Sequence, residues 1–242
     1  MAKVNFFLVF QGRAGSGLLR AILNSSPSAV FEAEWMMFDL RREPNPGERQ
    51  IEQIGRFFTD PRHEALSCLG FANKLSDIVA PPAFAAALEA HGARILDLKR
   101  RNPVKQVISN LNALRSREIT GKAHAYSQGE ILSDPFEIDC EHFAAHLRRL
   151  LERTAAQDRF VRQRNWPRIE LFYEDLVNER EATVVRVAEF LELSPGSIDL
   201  HPEAQPLKQT PTDLREVLTN FDALRERYRG TRFQAMIEDR RP

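Results

Sequence analysis

The apolar run Val4–Phe10 ends without a break on the turn Gln11-Gly12-Arg13-Ala14-Gly15-Ser16-Gly17, and a helical pattern over residues 18–25 begins at once. A short strand joined by a glycine-rich turn to a helix is a β-α unit, and the pattern recurs. Residues 93–99 lead through Arg100-Arg101-Asn102-Pro103 into a helix from Val104 to about Arg115. Residues 168–173 lead through Glu174-Asp175-Leu176 into a helix that runs to Leu191. A weaker strand around 69–75 and a helix over 82–91 lie between the first two units. Such alternation predicts an α/β fold with a central, mostly parallel sheet. A long amphipathic helix is expected over 139–163 and a last one over 212–228. Residues 116–135 carry no clear period, and a loop of that length is functional or mobile.

Composition narrows the function classes. Lys plus Arg and Asp plus Glu are both 34, so no global basic field exists to hold a nucleic acid or an anionic membrane. Any polyanion site must be local. Cys68 and Cys140 form neither a disulfide framework nor a zinc-like spacing, and reduced thiols point to the cytoplasm. No apolar run reaches the ~20 residues of a membrane span. The first run is too short, and too directly joined to its turn, for a signal peptide. The chain's 242 residues are read as a single domain, 1–242.

Two helix starts stand out chemically. A helix N-terminus carries unpaired N–H groups and a partial positive charge, so it recruits Asp or Glu unless a ligand anion belongs there. The helix after Tyr173 follows that rule with Glu174 and Asp175. Residues 12–30 contain no acid, yet Arg13 and Arg20 are present, and Gly12, Gly15 and Gly17 allow close backbone approach. At the second start Asn102 is suited to cap the helix and Pro103 to open it. The turn Val104-Lys105-Gln106 again lacks an acid, and Lys99-Arg100-Arg101 precedes it. A solvated basic edge is the plain alternative for each start taken alone. Together they suggest a ligand with two separated phosphate-like groups. The loop is no standard P-loop, because Gly17 is followed by Leu18-Leu19 instead of Lys and a hydroxyl residue. Nor does the glycine spacing match the dinucleotide fingerprint.

The chain resembles the sulfotransferases that use 3′-phosphoadenosine 5′-phosphosulfate (PAPS). Arg13-Ala14-Gly15-Ser16-Gly17-Leu18-Leu19 is similar to the family's 5′-phosphosulfate loop, and Arg101-Asn102-Pro103 with Ser109 to its 3′-phosphate site. Leu171-Phe172-Tyr173-Glu174-Asp175-Leu176 resembles a further strand-and-helix segment. Leu207-Lys208-Gln209-Thr210 and Tyr228-Arg229-Gly230-Thr231 resemble the nucleotide-covering loop and last helix, here within 205–232. The resemblance implies a P-loop NTPase-like three-layer α/β fold and transfer of a sulfuryl group to a hydroxyl of a small-molecule or carbohydrate acceptor. It implies no metal and no nucleic-acid partner. Ala14 and Gly17 replace hydroxyl residues common in that loop, and Ser76 stands where the cytosolic branch has its histidine. The bacterial and carbohydrate-type branch is the better match.

On this resemblance Arg13, Ala14, Gly15, Ser16, Gly17 and Leu18 bind the 5′ end of the donor. Arg101, Ser109 and Lys208 bind its 3′-phosphate, and Tyr173 is a candidate for the adenine, with a core aromatic as the alternative. Glu34 is the first candidate for the base that takes the acceptor's proton, with Glu32 close behind. Arg13 and Lys74 are candidates for stabilising the transferring group, an exposed lysine being the other reading of Lys74. The segment 116–135, with Arg117, Lys122, His124 and Tyr126, is read as the acceptor loop. A nucleotide or sugar kinase would need a Lys-Ser/Thr pair and a magnesium-binding Asp. A non-catalytic homologue binding 3′-phosphoadenosine 5′-phosphate (PAP) is the other alternative.

Overall fold

The computed structural model describes residues 3–33, 44–132 and 134–241. Five strands, β1 (Val4–Phe10), β2 (Ala29–Glu32), β3 (Cys68–Lys74), β4 (Arg94–Lys99) and β5 (Arg168–Phe172), form one sheet in the order β2-β3-β1-β4-β5. Every pairing is parallel. The helices are α1 (Ser16–Leu23), α2 (Pro46–Thr59), α3 (Pro81–Ala90), α4 (Pro103–Thr120) and α5 (Cys140–Arg162). They continue with α6 (Tyr173–Asn178), α7 (Arg180–Phe190), α8 (Phe221–Arg227) and α9 (Arg232–Glu238).

The chain divides into two compact units. The first holds residues 1–99 and 153–203 and contains the whole sheet. Its inner strands β1, β3 and β4 are buried on both faces, which is why they read as largely apolar runs, whereas the edge strands β2 and β5 expose Glu32, Arg168 and Glu170. One face of the sheet packs Phe6, Leu8 and Phe10 against Leu19, Ile22 and Leu23 of α1 and Val184, Val187 and Ala188 of α7. The other packs Phe7, Phe71 and Ile95 against α2, α3 and the end of α5, through Ile54, Phe57, Phe58, Phe84, Phe160 and Val161. Helices on both faces of a parallel sheet give the three-layer α/β architecture expected of a P-loop-like fold. At β3 the side chain of Gly70 has to be hydrogen, because a Cβ there would lie 2.1 Å from the Phe6 ring.

The second unit holds residues 100–152 and 204–242 and is helical. Its core gathers Val104, Val107 and Ile108 of α4, Phe143 and Leu147 of α5, and Leu214, Leu218, Phe221, Leu224 and Ile237. α4 continues to Thr120, so residues 116–120 are helix and the loop proper starts at Gly121, whose φ of 76° stops the helix. The expected helix 212–228 is broken. Leu218 bridges to Phe136, and the Asn220 side chain accepts from the Ile138 N–H and donates to its carbonyl, pulling the chain out of helical register. Only Phe221–Arg227 is α-helical there, and α9 starts afresh under the Thr231 cap. The helix expected after Tyr173 is likewise two, divided at Glu179. Strand β2 and helix α2 are additions to the expected set. The apolar spacing Ile54, Phe57, Phe58 behind Pro46 is the signal that marks α2.

Candidate anion-binding site

Within the first unit the loop between β1 and α1 has an alternating backbone. Arg13 (φ 65°) and Gly15 (φ 93°) are left-handed, while the residues around and between them are not. Successive residues of opposite hand turn their N–H groups toward one concave side, making an anion nest. The nest is closed at its base by the Ala14 N–H, which donates to the Gln11 carbonyl at 3.2 Å. It opens into α1, whose first turn has no acid and whose Gly15 cap has no side chain to offer. The N–H groups of Ser16, Gly17 and Leu18 lie in that first turn, where α-helical partners are lacking. Such an arrangement is chemically suited to hold a tetrahedral anion.

The Ala14 side chain is fully buried in the core beside Leu19 and Ile22. A hydroxyl there would point into apolar packing, so position 14 supplies backbone and not side chain. That accounts physically for an apolar residue at position 14. Gly15 lies against Tyr173: a Cβ on Gly15 would come within 2.7 Å of the ring's Cδ2. Tyr173, the first residue after β5, therefore walls the nest. Lys74, at the end of β3, passes the same loop, with its Cε 3.6 Å from where a Gly12 Cβ would be and its Nζ 5.8 Å from the Phe10 ring centre. Glu32 ends β2 and is exposed. The loop, Glu32, Lys74 and Tyr173 thus all stand at carboxyl ends of strands, where open α/β sheets bind ligands. Glu34 lies outside the described residues.

The second unit carries the other helix start. Asn102 caps α4, its Oδ1 accepting from the Lys105 N–H at 3.0 Å, while its Nδ2 donates to the Met236 carbonyl at 2.8 Å. No acid occupies the first turn. Arg101 is exposed just before it, and Ser109 is buried two turns on. Lys208 has its pKa pulled below the usual lysine value, first by burial and then by the charges of Arg100 and Lys105. Three cations thus crowd one region, and Lys105 is itself buried, donating to the Arg241 carbonyl. Arg100 and Lys105 were not singled out among the candidate residues. The acid-free turn containing Lys105 was the signal for them. The strap 207–210 is fastened in this unit by Leu207 N–H to the Ala125 carbonyl (2.8 Å) and by Asn112 to Gln209 and Thr210 (3.3 Å each).

Asp97, Asp158 and Glu170 form a carboxylate cluster with metal-like spacing, but the Lys99 ammonium lies among them at 3.0, 2.5 and 2.5 Å. His142 and His146 pair with each other, Nε2 to Nε2 at 2.9 Å. No helix among the described residues is long and apolar enough to cross a membrane.

No protein-family model and no curated relative matches the chain. Solved structures do resemble it. The sulfotransferase from Alicyclobacillus acidocaldarius is 20% identical, with TM-score 0.48 over 98% of this chain and 96% of that one. The sulfotransferase domain from the Curacin biosynthetic pathway is 14% identical, with TM-score 0.48 over 96% and 93%. Mouse sulfotransferase SULT7A1, solved with PAP, is 12% identical with TM-score 0.46, and the match covers 80% of this chain but 61% of that one. These three structures are sulfotransferases.

Proposed function

We propose that this chain is a PAPS-dependent sulfotransferase acting on a hydroxyl of a small-molecule or carbohydrate acceptor. The observation that carries the reading is the nest at residues 12–16 opening an acid-free helix, with Lys74 alongside. A second acid-free, lysine-bearing helix start in the same chain calls for a second anionic group on the ligand. In this reading Arg13 and the N–H groups of Gly15, Ser16, Gly17 and Leu18 hold the 5′-phosphosulfate, and Ala14, whose N–H is bonded to the Gln11 carbonyl, belongs to that site by shaping its loop. Arg101, Ser109 and Lys208 hold the 3′-phosphate, and Tyr173 meets the adenine.

The chemistry follows from the groups. The acceptor oxygen attacks sulfur in line, the bond from sulfur to the bridging oxygen of the 5′-phosphate breaks, and PAP leaves with the bond's electron pair. The acceptor's proton passes to a carboxylate, Glu34 or Glu32. Negative charge grows on the bridging oxygen, and Arg13, Lys74 and the nest stabilise it there by preorganised dipoles and charge. The whole chain acts as one sulfotransferase domain, in the reducing cytoplasm that its thiols Cys68 and Cys140 suit.

Titration with PAP, adenosine 5′-phosphate and ATP, followed by turnover of labelled PAPS with pooled hydroxyl acceptors, tests this. PAP bound well above the other two, and label transferred, are expected. Preference for ATP would make the chain a kinase. PAP binding with no transfer to any acceptor would make it a non-catalytic nucleotide-binding homologue.

A further inference from the structure

The anion loop rests on a buried polar network in the first unit. Gln157 of α5 is fully buried. Its Oε1 accepts from Gln11 Nε2 at 3.0 Å, and its Nε2 donates to Asp97 Oδ1 at 2.7 Å, with the carbonyls of Val9 and Leu98 each at 3.3 Å. Gln11 Nε2 also reaches the Arg153 carbonyl at 3.4 Å. Gln11 is the last residue before the nest, and its own carbonyl receives the Ala14 N–H. The side chain that holds Gln11 therefore holds the first peptide of the loop.

The chemistry of the chain fixes its direction. An ionised Asp97 can only accept, so the Gln157 amide must present its NH₂ to Asp97 and to the two carbonyls, leaving its oxygen for Gln11. Turning the amide over would set oxygen against three acceptors at once. The Lys99 ammonium lies 3.0 Å from Asp97 and favours its carboxylate: burial raises the Asp97 pKa above the ordinary value, and Gln157 and Lys99 oppose that rise. Apolar residues of similar volume would stabilise such a region at least as well, because buried amides and charges lose their hydration. What directional bonds add over apolar packing is one fixed arrangement.

We propose that Gln157, Gln11 and Asp97 form a positioning network that sets the height and direction of the anion nest, so that its N–H groups converge on the donor's 5′-phosphosulfate. The proposal rests on the sulfotransferase reading for its ligand but not for its geometry. None of the three needs to touch the donor.

Gln11→Leu cuts the loop from the network and leaves the Gln157–Asp97 bond intact. Gln157→Leu removes the hub. Phe160→Leu, on the same helix and packed on Trp166, serves as a control for simple loosening. Exchange of the Ala14 amide hydrogen, held by the Gln11 carbonyl, should accelerate by about tenfold or more in Gln11→Leu relative to the control. In turnover assays Gln11→Leu should raise KM for PAPS and lower kcat, while the preference for PAP over adenosine 5′-phosphate stays, because that preference belongs to the 3′ end. Exchange and kinetics in Gln11→Leu indistinguishable from Phe160→Leu would overturn the proposal. If the wild type binds no PAP, the sulfotransferase reading fails, and the exchange measurement still decides the positioning role. If Gln157→Leu does not fold, Gln11→Leu alone carries the test.

Discussion

Gly15→Ala is the substitution that most directly tests the nest. Gly15 has φ 93° and ψ 13°, a left-handed conformation in which a Cβ crowds the following carbonyl, at a cost of about 1–2 kcal/mol. The same Cβ would lie 2.7 Å from Tyr173 Cδ2 and 3.5 Å from Cε2. The ring is held at the end of β5, so one of the two must shift, and overpacking of this kind costs about 1–3 kcal/mol. The expected loss is therefore about 2–5 kcal/mol, read from urea denaturation of the two proteins. The two terms separate in a double-mutant cycle with Tyr173→Ala. In that background the clash is gone and the cost of Gly15→Ala should fall to about 1–2 kcal/mol, the backbone term alone. An equal cost in both backgrounds would mean that the ring does not wall the loop. PAP affinity should fall with the handedness of the nest, by about 1.5–3 kcal/mol for a lost charge-assisted bond. A Gly15→Ala protein as stable as wild type, and as tight for PAP, would refute the nest as the anion site.

Arg101→Ala should erase much of the preference for PAP over adenosine 5′-phosphate, about 1.5–3 kcal/mol by titration, with the circular dichroism spectrum unchanged. Glu34→Gln should lower turnover by about 10² or more at nearly constant PAP affinity. If Glu32→Gln shows that loss instead, the base sits at the exposed end of β2, and if neither does, a carboxylate base in this segment is wrong. Burial alone would depress Lys99 below its ordinary 10.5, but its bonds to Asp158, Glu170 and Asp97 outweigh burial and raise it. The stability this adds is fully present below 10.5 and is lost as pH rises through the folded value, so denaturation midpoints should fall less steeply at alkaline pH in Lys99→Met than in wild type. Residues 121–132 should exchange amide hydrogens faster than the sheet in the empty protein and slow on acceptor binding; protection equal to the sheet's would exclude an acceptor lid.

The inner strands were legible because a strand buried on both faces of a parallel sheet leaves a nearly uninterrupted apolar run, as in Val4–Phe10, and because the run stops on a turn. The end of α4 was not, for a reason visible in its packing. Its buried positions there are Asn112, the small Ala113 and Ser116, while Leu114 and Ile119 are exposed. A hydrophobic period is hard to see in a helix end whose large apolar side chains Leu114 and Ile119 face water. The break before α8 was hidden because it comes from Asn220 bonding to Ile138, a partner 82 residues away in sequence. β2 is four residues long, too short for any period to show.

The site divides along the same line. What a ligand's charge demands was written locally: missing acids at two helix starts, glycines in the first, an Asn-Pro cap at the second. Those signals identify which helix start expects an anion. They do not identify what holds the loop in shape, because that work falls to side chains far apart in the chain. Gln11 and Gln157 are separated by 146 residues, and neither differs in type from a surface glutamine. Only burial distinguishes them, and burial of a glutamine follows from where Asp97 and Lys99 are placed by β4. Ala14 shows the converse. Its position in the motif suggested a lost hydroxyl contact, yet its place among Leu19 and Ile22 makes it a core residue whose backbone alone faces the nest. A motif thus records only residue types in order, and the fold decides which atoms of each motif residue face a ligand.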